Sequence, residues 1–474
     1  MITTITFVAA FVAIVLVAFV YIRSKPSKAP TVPGLQPVDY KGKGNLPDIK
    51  AAGSLHEFLV KLHKQYGPIA SFWFGPTFTV SVASPDILQD LKRIFDRPPE
   101  LFRLFEPLFG PESIQYCNGT EGKTRRKTTD PAFSHDMLRH FCENFNKLGE
   151  EAVSKLASLP RDEHIPICQT TLALTIKGLS QTSFGAYFKS DDMCYKLQHN
   201  YELCWHEMER RVDGDIPESN SERQKRFIEA LETIKGMVKD IVKLRQESPP
   251  QPHERGFIDI LMDHTDIYPE RKLLDDAMTY MIGGFHTSGH LLAWTLYFLA
   301  KHKDVQEKVF KEVISIVGKD GLIGPEDMRE FVYIRQVMNE SLRLSVLAPW
   351  AARFQEVDVH LGGYIIPKGT PVITALGVVL QDEAIWPLSN KFDPERFSEE
   401  NVRQRHQFAF QPFGLPGRIC PGYRFAFYEL TVFLAILIRN FKWSLVEGQA
   451  EVERVHAFVT SPKEEIWTLI EKRE

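Results

Sequence analysis

The chain has 474 residues, 43% of them hydrophobic and 25% charged, the balance of a folded protein with a sizeable core rather than of a disordered chain. Its 57 basic and 61 acidic residues leave a net charge of −4, so no global basic field argues for nucleic acid. Six cysteines show no Cys-x-x-Cys pair and no regular spacing, which argues against a zinc site or a disulfide framework and suits a catalytic domain in a reducing compartment.

From Ile2 to Ile22 there is no charged residue, and as a helix this run spans roughly 31 Å, enough for a bilayer core. Arg23, Lys25 and Lys28 follow at once. Positive charge on that flank alone predicts an uncleaved signal anchor over residues 1–22 with the remainder in the cytosol, whereas a cleaved signal carries its charge before a shorter apolar run. The implied address is the endoplasmic reticulum membrane, single-pass. On this topology the sequon Asn118-Gly119-Thr120 never meets the glycosylation machinery. Residues 23–50, with Pro26, Pro30, Pro33, Gly34 and Pro37, read as a Pro-rich linker and N-terminal segment, and residues 51–474 as one catalytic domain.

An amphipathic helix is predicted over Ser54–Tyr66, apolar at Leu55, Phe58, Leu59 and Leu62. Two β-rich runs, Ile69–Phe74 and Thr77–Val82, flank Gly75-Pro76 as a hairpin would. Helical spacing dominates from Leu138 to Leu244, with a polar interruption near Asp213–Ser221. Leu273–Ile316 reads as helix with few breaks, and its first part, Leu273–Ala300, is apolar on nearly all sides and so runs through the middle of the protein. Short strands return near His360–Ile366 and Pro371–Thr374. The pattern is mainly α with small β-sheets, not the alternation of a doubly wound sheet.

Chemistry concentrates in Phe413-Gly-Leu-Pro-Gly-Arg418-Ile-Cys420-Pro-Gly422. A thiolate stays ionised with help from a helix N-terminus, backbone N–H donors and a nearby cation. The loop offers all three: glycines that let N–H groups approach sulfur, Arg418 two residues before it, and an apolar helix that follows from Phe425 to Ile438. A plain buried cysteine in a loop is the alternative for this segment alone.

Phe413, Arg418, Cys420 and Gly422 resemble the haem-binding loop of cytochromes P450, Phe-x-x-Gly-x-Arg-x-Cys-x-Gly, with Pro416 and Gly417 exchanged relative to that pattern. The resemblance extends through Phe425, Ala426 and Glu429, through Glu340-Ser-Leu-Arg343, and through Pro394-Glu395-Arg396-Phe397. It implies a buried Glu340–Arg343–Arg396 triad that supports the haem loop. Gly283-Gly284-Phe285-His286-Thr287-Ser288 is similar to the family's oxygen-binding site, with His286 where most relatives carry an acid. There the resemblance implies proton delivery by Thr287, with His286 as a relay near neutral pH. Two glycines in a helix cost roughly 1 kcal/mol each against alanine, which suggests a kink, a close ligand or tight packing, and Thr287 can also bond back to a carbonyl four residues earlier.

Arg126 stands at the arginine of the family's Trp-x-x-x-Arg pattern, with Gly122 replacing the Trp, so one propionate contact is expected to be missing. Arg353 and Arg418 match two further propionate arginines, work suited to a planar guanidinium fork. Basic residues around Lys123–Lys127 are a candidate docking face for an acidic electron donor. Gly44–Ile49, Ser54–Val60, Ser71–Gly75 and Ala375–Asp382 look most like family 20 of the animal cytochromes P450.

The resemblance implies the cytochrome P450 fold, a haem b held by Cys420, and monooxygenation of an apolar organic substrate of the lipid, sterol or xenobiotic class. Electrons would come from NADPH through NADPH–cytochrome P450 reductase, with cytochrome b5 as a further candidate partner. Membrane lipid is the other partner implied. Substrate-lining loops are expected within 98–117 and 190–235. Two rival readings stay open: a reductase-independent isomerase or dehydratase, and a haem-binding sensor or carrier with little catalysis.

Overall fold

The computed structural model describes residues 31–39, 42–212, 215–251, 254–449 and 451–474, so the expected anchor over residues 1–22 lies outside the described residues. Among the described residues no helix is long and apolar enough to cross a membrane.

Helices α1 (Leu46–Ala52) and α2 (Leu55–Tyr66) open the fold. α2 begins where the Ser54 hydroxyl accepts the Glu57 N–H at 3.3 Å, satisfying one of the donors that a first turn leaves without a partner. Strands β1 (Ile69–Phe74) and β2 (Thr77–Val82) form an antiparallel hairpin in the register Ile69↔Val82 to Phe74↔Thr77, and Gly75 turns it with φ +59°. With β3 (Ala351–Arg353) and β4 (Val372–Thr374) they make a four-stranded sheet in the order β1-β2-β4-β3. β4 runs parallel to β2 and antiparallel to β3, which sets Arg353 opposite Val372. Residues 33–35 lie along the outer edge of β1. The Ser71 N–H donates to the Pro33 carbonyl at 2.8 Å, the Leu35 N–H donates to the Ser71 carbonyl at 2.9 Å, and Val32 is buried.

Most of the rest is helical, beside three further small sheets, and its longer helices are α3 (Gly119–Thr129), α4 (His135–Ala157), α5 (Ile167–Ser183), α6 (Asp191–Val212), α7 (Glu222–Glu247), α8 (Glu270–Lys301), α9 (Lys303–Val317), α10 (Val332–Ser345) and α11 (Tyr423–Asn440). α8 is the central element, and every residue from Leu291 to Ala300 is buried, as its all-round apolar character predicts. The helix expected over Leu273–Ile316 is interrupted at His302, whose backbone (φ −114°, ψ 80°) ends α8 and starts α9. α5 packs closely on α8 because glycines face it. A Cβ at Gly284 would lie 2.7 Å from a Leu179 methyl, and one at Gly289 would lie 3.0 Å from the Leu172 Cα. On the other side of the core, α11 is buried from Glu429 through Arg439. The strand expected over His360–Ile366 is a small hairpin, Val359–Leu361 with Tyr364–Ile366, and that over Pro371–Thr374 is β4. The whole is mainly α with small sheets.

Candidate functional site

The cysteine loop closes on itself where the Cys420 N–H donates to the Phe413 carbonyl at 2.9 Å, with Gly414 at φ +83° making the bend. Phe413 packs on Phe427 and Tyr423, with ring centroids 5.6 and 6.1 Å away. The exchanged Pro-Gly pair has a local cause. Pro416 starts a single 3-10 turn through Arg418, a position where its missing N–H costs nothing. Gly417 lies against the chain at 92–94, where a Cβ would sit 2.8 Å from the Ile94 carbonyl oxygen and 2.9 Å from that of Lys92. Gly422 caps α11, and its N–H bonds the Cys420 thiol. Burial pushes that thiol up, while the Gly422 N–H and the charges of Arg126 and Arg97 pull it down.

Arg126, Arg353 and Arg418 gather around this loop, and a fourth cation joins them. The Arg418 Nη1 donates to the Cys117 carbonyl at 2.9 Å, its Nη2 donates to the Ile114 carbonyl, and its guanidinium covers the Phe95 ring. The Arg126 Nη2 donates to the Ile419 carbonyl at 2.9 Å, one residue from the cysteine. The Arg353 Nη1 donates to the Ala352 carbonyl at 2.8 Å. Arg97, which sequence reading missed, is held by Gln115. Burial, then repulsion from neighbouring cations, lowers the affinity of three of them for a proton: Arg418 to about 10 through Arg126 and Arg353, Arg353 to about 10 through Arg126, and Arg97 well below the usual range through Arg418, Arg353 and Arg126. Among the described residues no carboxylate pairs with Arg97, Arg353 or Arg418, and the Nε atoms of Arg97 and Arg353 are buried without an acceptor, while the Arg126 Nε lies 3.5 Å from the Asp130 carboxylate. Clustered guanidinium groups with donors left unfilled, beside a half-buried thiol, suit a ligand that brings several anionic oxygens and a thiophilic metal. Haem, with two propionates and iron, fits this donor set.

Its neighbour Arg125 points elsewhere. It forms a buried ion pair with Asp276 of α8 at 2.5 Å, and Asp276 also accepts the Ile114 N–H at 2.7 Å. The position of Gly122 explains the departure from the Trp pattern, since any Cβ there would collide with the Cys117 carbonyl.

The charged triad is assembled. Glu340 accepts from the Arg343 Nε at 2.7 Å and Nη2 at 2.8 Å, from the Asp393 N–H at 3.0 Å, and lies 3.4 Å from the Arg396 Nε. Arg343 also reaches the carbonyls of Leu380 and Lys391, and Arg396 those of Pro387 and Leu388, so the buried charges tie α10 to the chain that leads into the cysteine loop.

On α8, the Thr287 Oγ1 donates to the Gly283 carbonyl at 2.9 Å, four residues back. A Cβ at Gly283 meets no protein atom within 4 Å, so the two glycines differ: Gly284 serves packing against α5, and Gly283 does not. His286 is buried against α6, its ring 4.4 Å from that of Trp205 and 5.4 Å from that of Tyr201. Burial, then His290 and His206, pushes it well below the usual imidazole range. The aromatic wall continues through Phe105, 5.9 Å from Trp205 and 4.7 Å from Phe458, which joins chain segments inside both expected substrate loops. Nearby, neither carboxyl oxygen of the buried Glu429 makes a hydrogen bond of ordinary geometry. Burial, offset in part by Ser288 of α8, holds that acid protonated well above the usual range.

The chain matches the family model for Cytochrome P450 over residues 36–469. It is 34% identical over 475 residues to cytochrome P450 20A1 of Bos taurus, covering 99% of this chain and 98% of the relative, and 33% identical over the same span to that of Homo sapiens. It is 26% identical to cytochrome P450 4V2 of Mus musculus over 86% of this chain and 82% of the relative. A cysteine loop of this geometry, set in a mainly α fold that the family model covers nearly end to end, leads to one conclusion: the chain belongs to the cytochrome P450 family of haem-thiolate monooxygenases.

Proposed function

We propose that this P450 inserts one atom of O2 into an apolar organic substrate of the lipid, sterol or xenobiotic class. Electrons come from NADPH through NADPH–cytochrome P450 reductase, with cytochrome b5 as a second donor. The cofactor is haem b. Cys420 would hold its iron, Arg97, Arg126, Arg353 and Arg418 would receive its propionates, and Phe413 and Gly422 would shape the loop around the sulfur. When bound, the haem supplies activation of O2, which a thiolate ligand promotes by pushing electron density onto iron.

The protein's own groups do the remaining work. The Gly422 N–H and the charges of Arg126 and Arg97 oppose the burial that raises the Cys420 thiol, and so favour its ionised form. The Glu340–Arg343–Arg396 triad holds the approach to the loop. The Thr287 hydroxyl, one rotamer away from its bond to the Gly283 carbonyl, hands on protons, and His286 passes them to it. The aromatic wall of Phe105, Trp205 and Phe458 excludes water and favours apolar ligands.

Residues 1–22 anchor the protein in the endoplasmic reticulum membrane with residues 51–474 in the cytosol as the catalytic domain, a reading supported by the uncharged run Ile2–Ile22 and the cations after it. The observation that carries the functional proposal is the set of guanidinium groups gathered at the Cys420 thiol, of which Arg97, Arg353 and Arg418 pair with no carboxylate among the described residues. The test is the spectrum of the reduced, carbon monoxide-treated protein. Wild type shows the far-red-shifted band of thiolate ligation and Cys420→Ala does not; a Cys420→Ala protein with an unchanged band overturns the assignment. Ligand screening by the iron spin state then sorts the substrate classes.

A further inference from the structure

We propose that His290 is the second member of a two-imidazole proton wire, passing a proton through His286 toward the Thr287 end of α8. This rests on the reading of His286 as a proton carrier and names the group that supplies it. His286 and His290 are four residues apart on α8, so they share one helix face. Their Nε2 atoms are 3.0 Å apart, the length of a hydrogen bond, and the rings meet edge to face with centroids 4.6 Å apart. In such a bond one ring donates Nε2–H and the other accepts with a bare Nε2, so the two neutral rings hold opposite tautomers. A proton arriving at the bare Nδ1 of the donating ring, passage of that ring's Nε2–H to the bare Nε2 of the accepting ring, and loss of the accepting ring's Nδ1–H exchange the two tautomers. One proton enters, one leaves, and no net charge remains on the helix.

The surroundings favour transfer over storage. Burial brings His290 down to about 4 and His286 well below the usual range, so neither ring holds an extra proton at neutral pH. Simple packing is a poor account of the pair. His286 already lies against Trp205 and Tyr201, a setting in which phenylalanine would do equally well without burying polar nitrogens. Among the described residues neither ring makes a side-chain hydrogen bond other than the shared one, so the pair is tied to itself rather than to the surrounding fold.

The test compares wild type, His290→Phe and His286→Phe as full-length, haem-loaded proteins reduced by NADPH through a microsomal flavoprotein reductase. The readouts are hydrogen peroxide released per NADPH and the H2O/D2O effect on NADPH oxidation. A positioned proton donor contributes about 10²-fold or more, so both variants are expected to raise the peroxide share about threefold or more and to alter the solvent isotope effect alike. If His286→Phe changes both readouts and His290→Phe neither, the wire is wrong while the single-histidine reading stands. If neither variant differs from wild type, both fall. Should His290→Phe lose haem, His290→Gln replaces it: the amide keeps a hydrogen bond but cannot exchange tautomers, so the same rise in peroxide is expected. Independently of turnover, 15N-histidine NMR of the diamagnetic ferrous–carbon monoxide form should show one Nε2–H and one Nδ1–H ring at these positions. Two imidazolium rings, or two rings of like tautomer, would overturn the proposal.

Discussion

Gly284 separates two explanations for glycine in the long helix, and a pair of substitutions decides between them. Gly284→Ala gains about 1 kcal/mol of helix propensity. Against this, the new methyl would stand 2.7 and 2.9 Å from the two methyls of Leu179, itself buried on α5, and overpacking of that kind costs about 1–3 kcal/mol. The net expectation is a loss of about 0–2 kcal/mol. Leu179→Val deletes one methylene and retracts both interfering methyls, at a cost of about 1–2 kcal/mol on its own. In the double variant the alanine methyl enters the space that valine leaves, so the two losses should fail to add by about 1–3 kcal/mol. Melting entropy near 2.1 cal/mol/K per residue makes 1 kcal/mol worth about 1 °C in a chain of 474 residues. The double variant should therefore melt within about 1 °C of Leu179→Val alone, or above it. The assay is calorimetry at a fixed scan rate together with urea unfolding, on proteins with equal haem content. Additivity within about 0.5 kcal/mol would refute the packing account.

Glu429 should make the native state less stable as pH rises. Its folded affinity for a proton lies well above the usual 4.5. The stability owed to that bound proton is full below the unfolded value and is lost as pH climbs toward the folded one. Glu429→Gln removes this dependence. It should melt above wild type at about pH 8 with the gap narrowing toward about pH 5, and a gap of the opposite sign at high pH would disprove a protonated acid. Arg97→Gln removes one cation from the set around Cys420, a contact worth about 1.5–3 kcal/mol if it binds a propionate. Haem transfer to apomyoglobin should then be roughly tenfold faster or more; an unchanged rate would place Arg97 outside the cofactor's reach.

What the sequence made legible followed short-range rules. Glu340 and Arg343 share a helix face at i,i+3, so their pairing needed only a helix. The apolar spacing of Leu55, Phe58, Leu59 and Leu62 announced α2, and the all-round apolar stretch announced a central helix. The parts that stayed hidden depend on distant chain. Arg97 sits in irregular backbone before Pro98-Pro99, without periodicity, and matters only because folding brings it to Arg126, Arg353 and Arg418. The exchange of Pro416 and Gly417 looked like a defect in the loop until the carbonyls of Lys92 and Ile94 proved to lie against residue 417. Gly122 is explained in the same way by the Cys117 carbonyl. The interruption at His302 carried no proline or glycine to betray it. For His286 and His290 the i,i+4 spacing was visible, but that His286 is buried against α6 rather than solvated was not.

The strap of residues 33–35 along β1 bears on how a shortened version of this protein can be made. Its bonds to Ser71 use the edge of the sheet, and the Val32 carbonyl accepts the Ser71 hydroxyl at 2.9 Å. A truncation intended to improve solubility that starts after residue 36 would strip this cover, exposing a strand margin able to pair with another molecule and leaving the slot of Val32 to water. Cutting ahead of Thr31 keeps the margin closed, so the choice of start site decides whether the shortened protein stays single or self-associates.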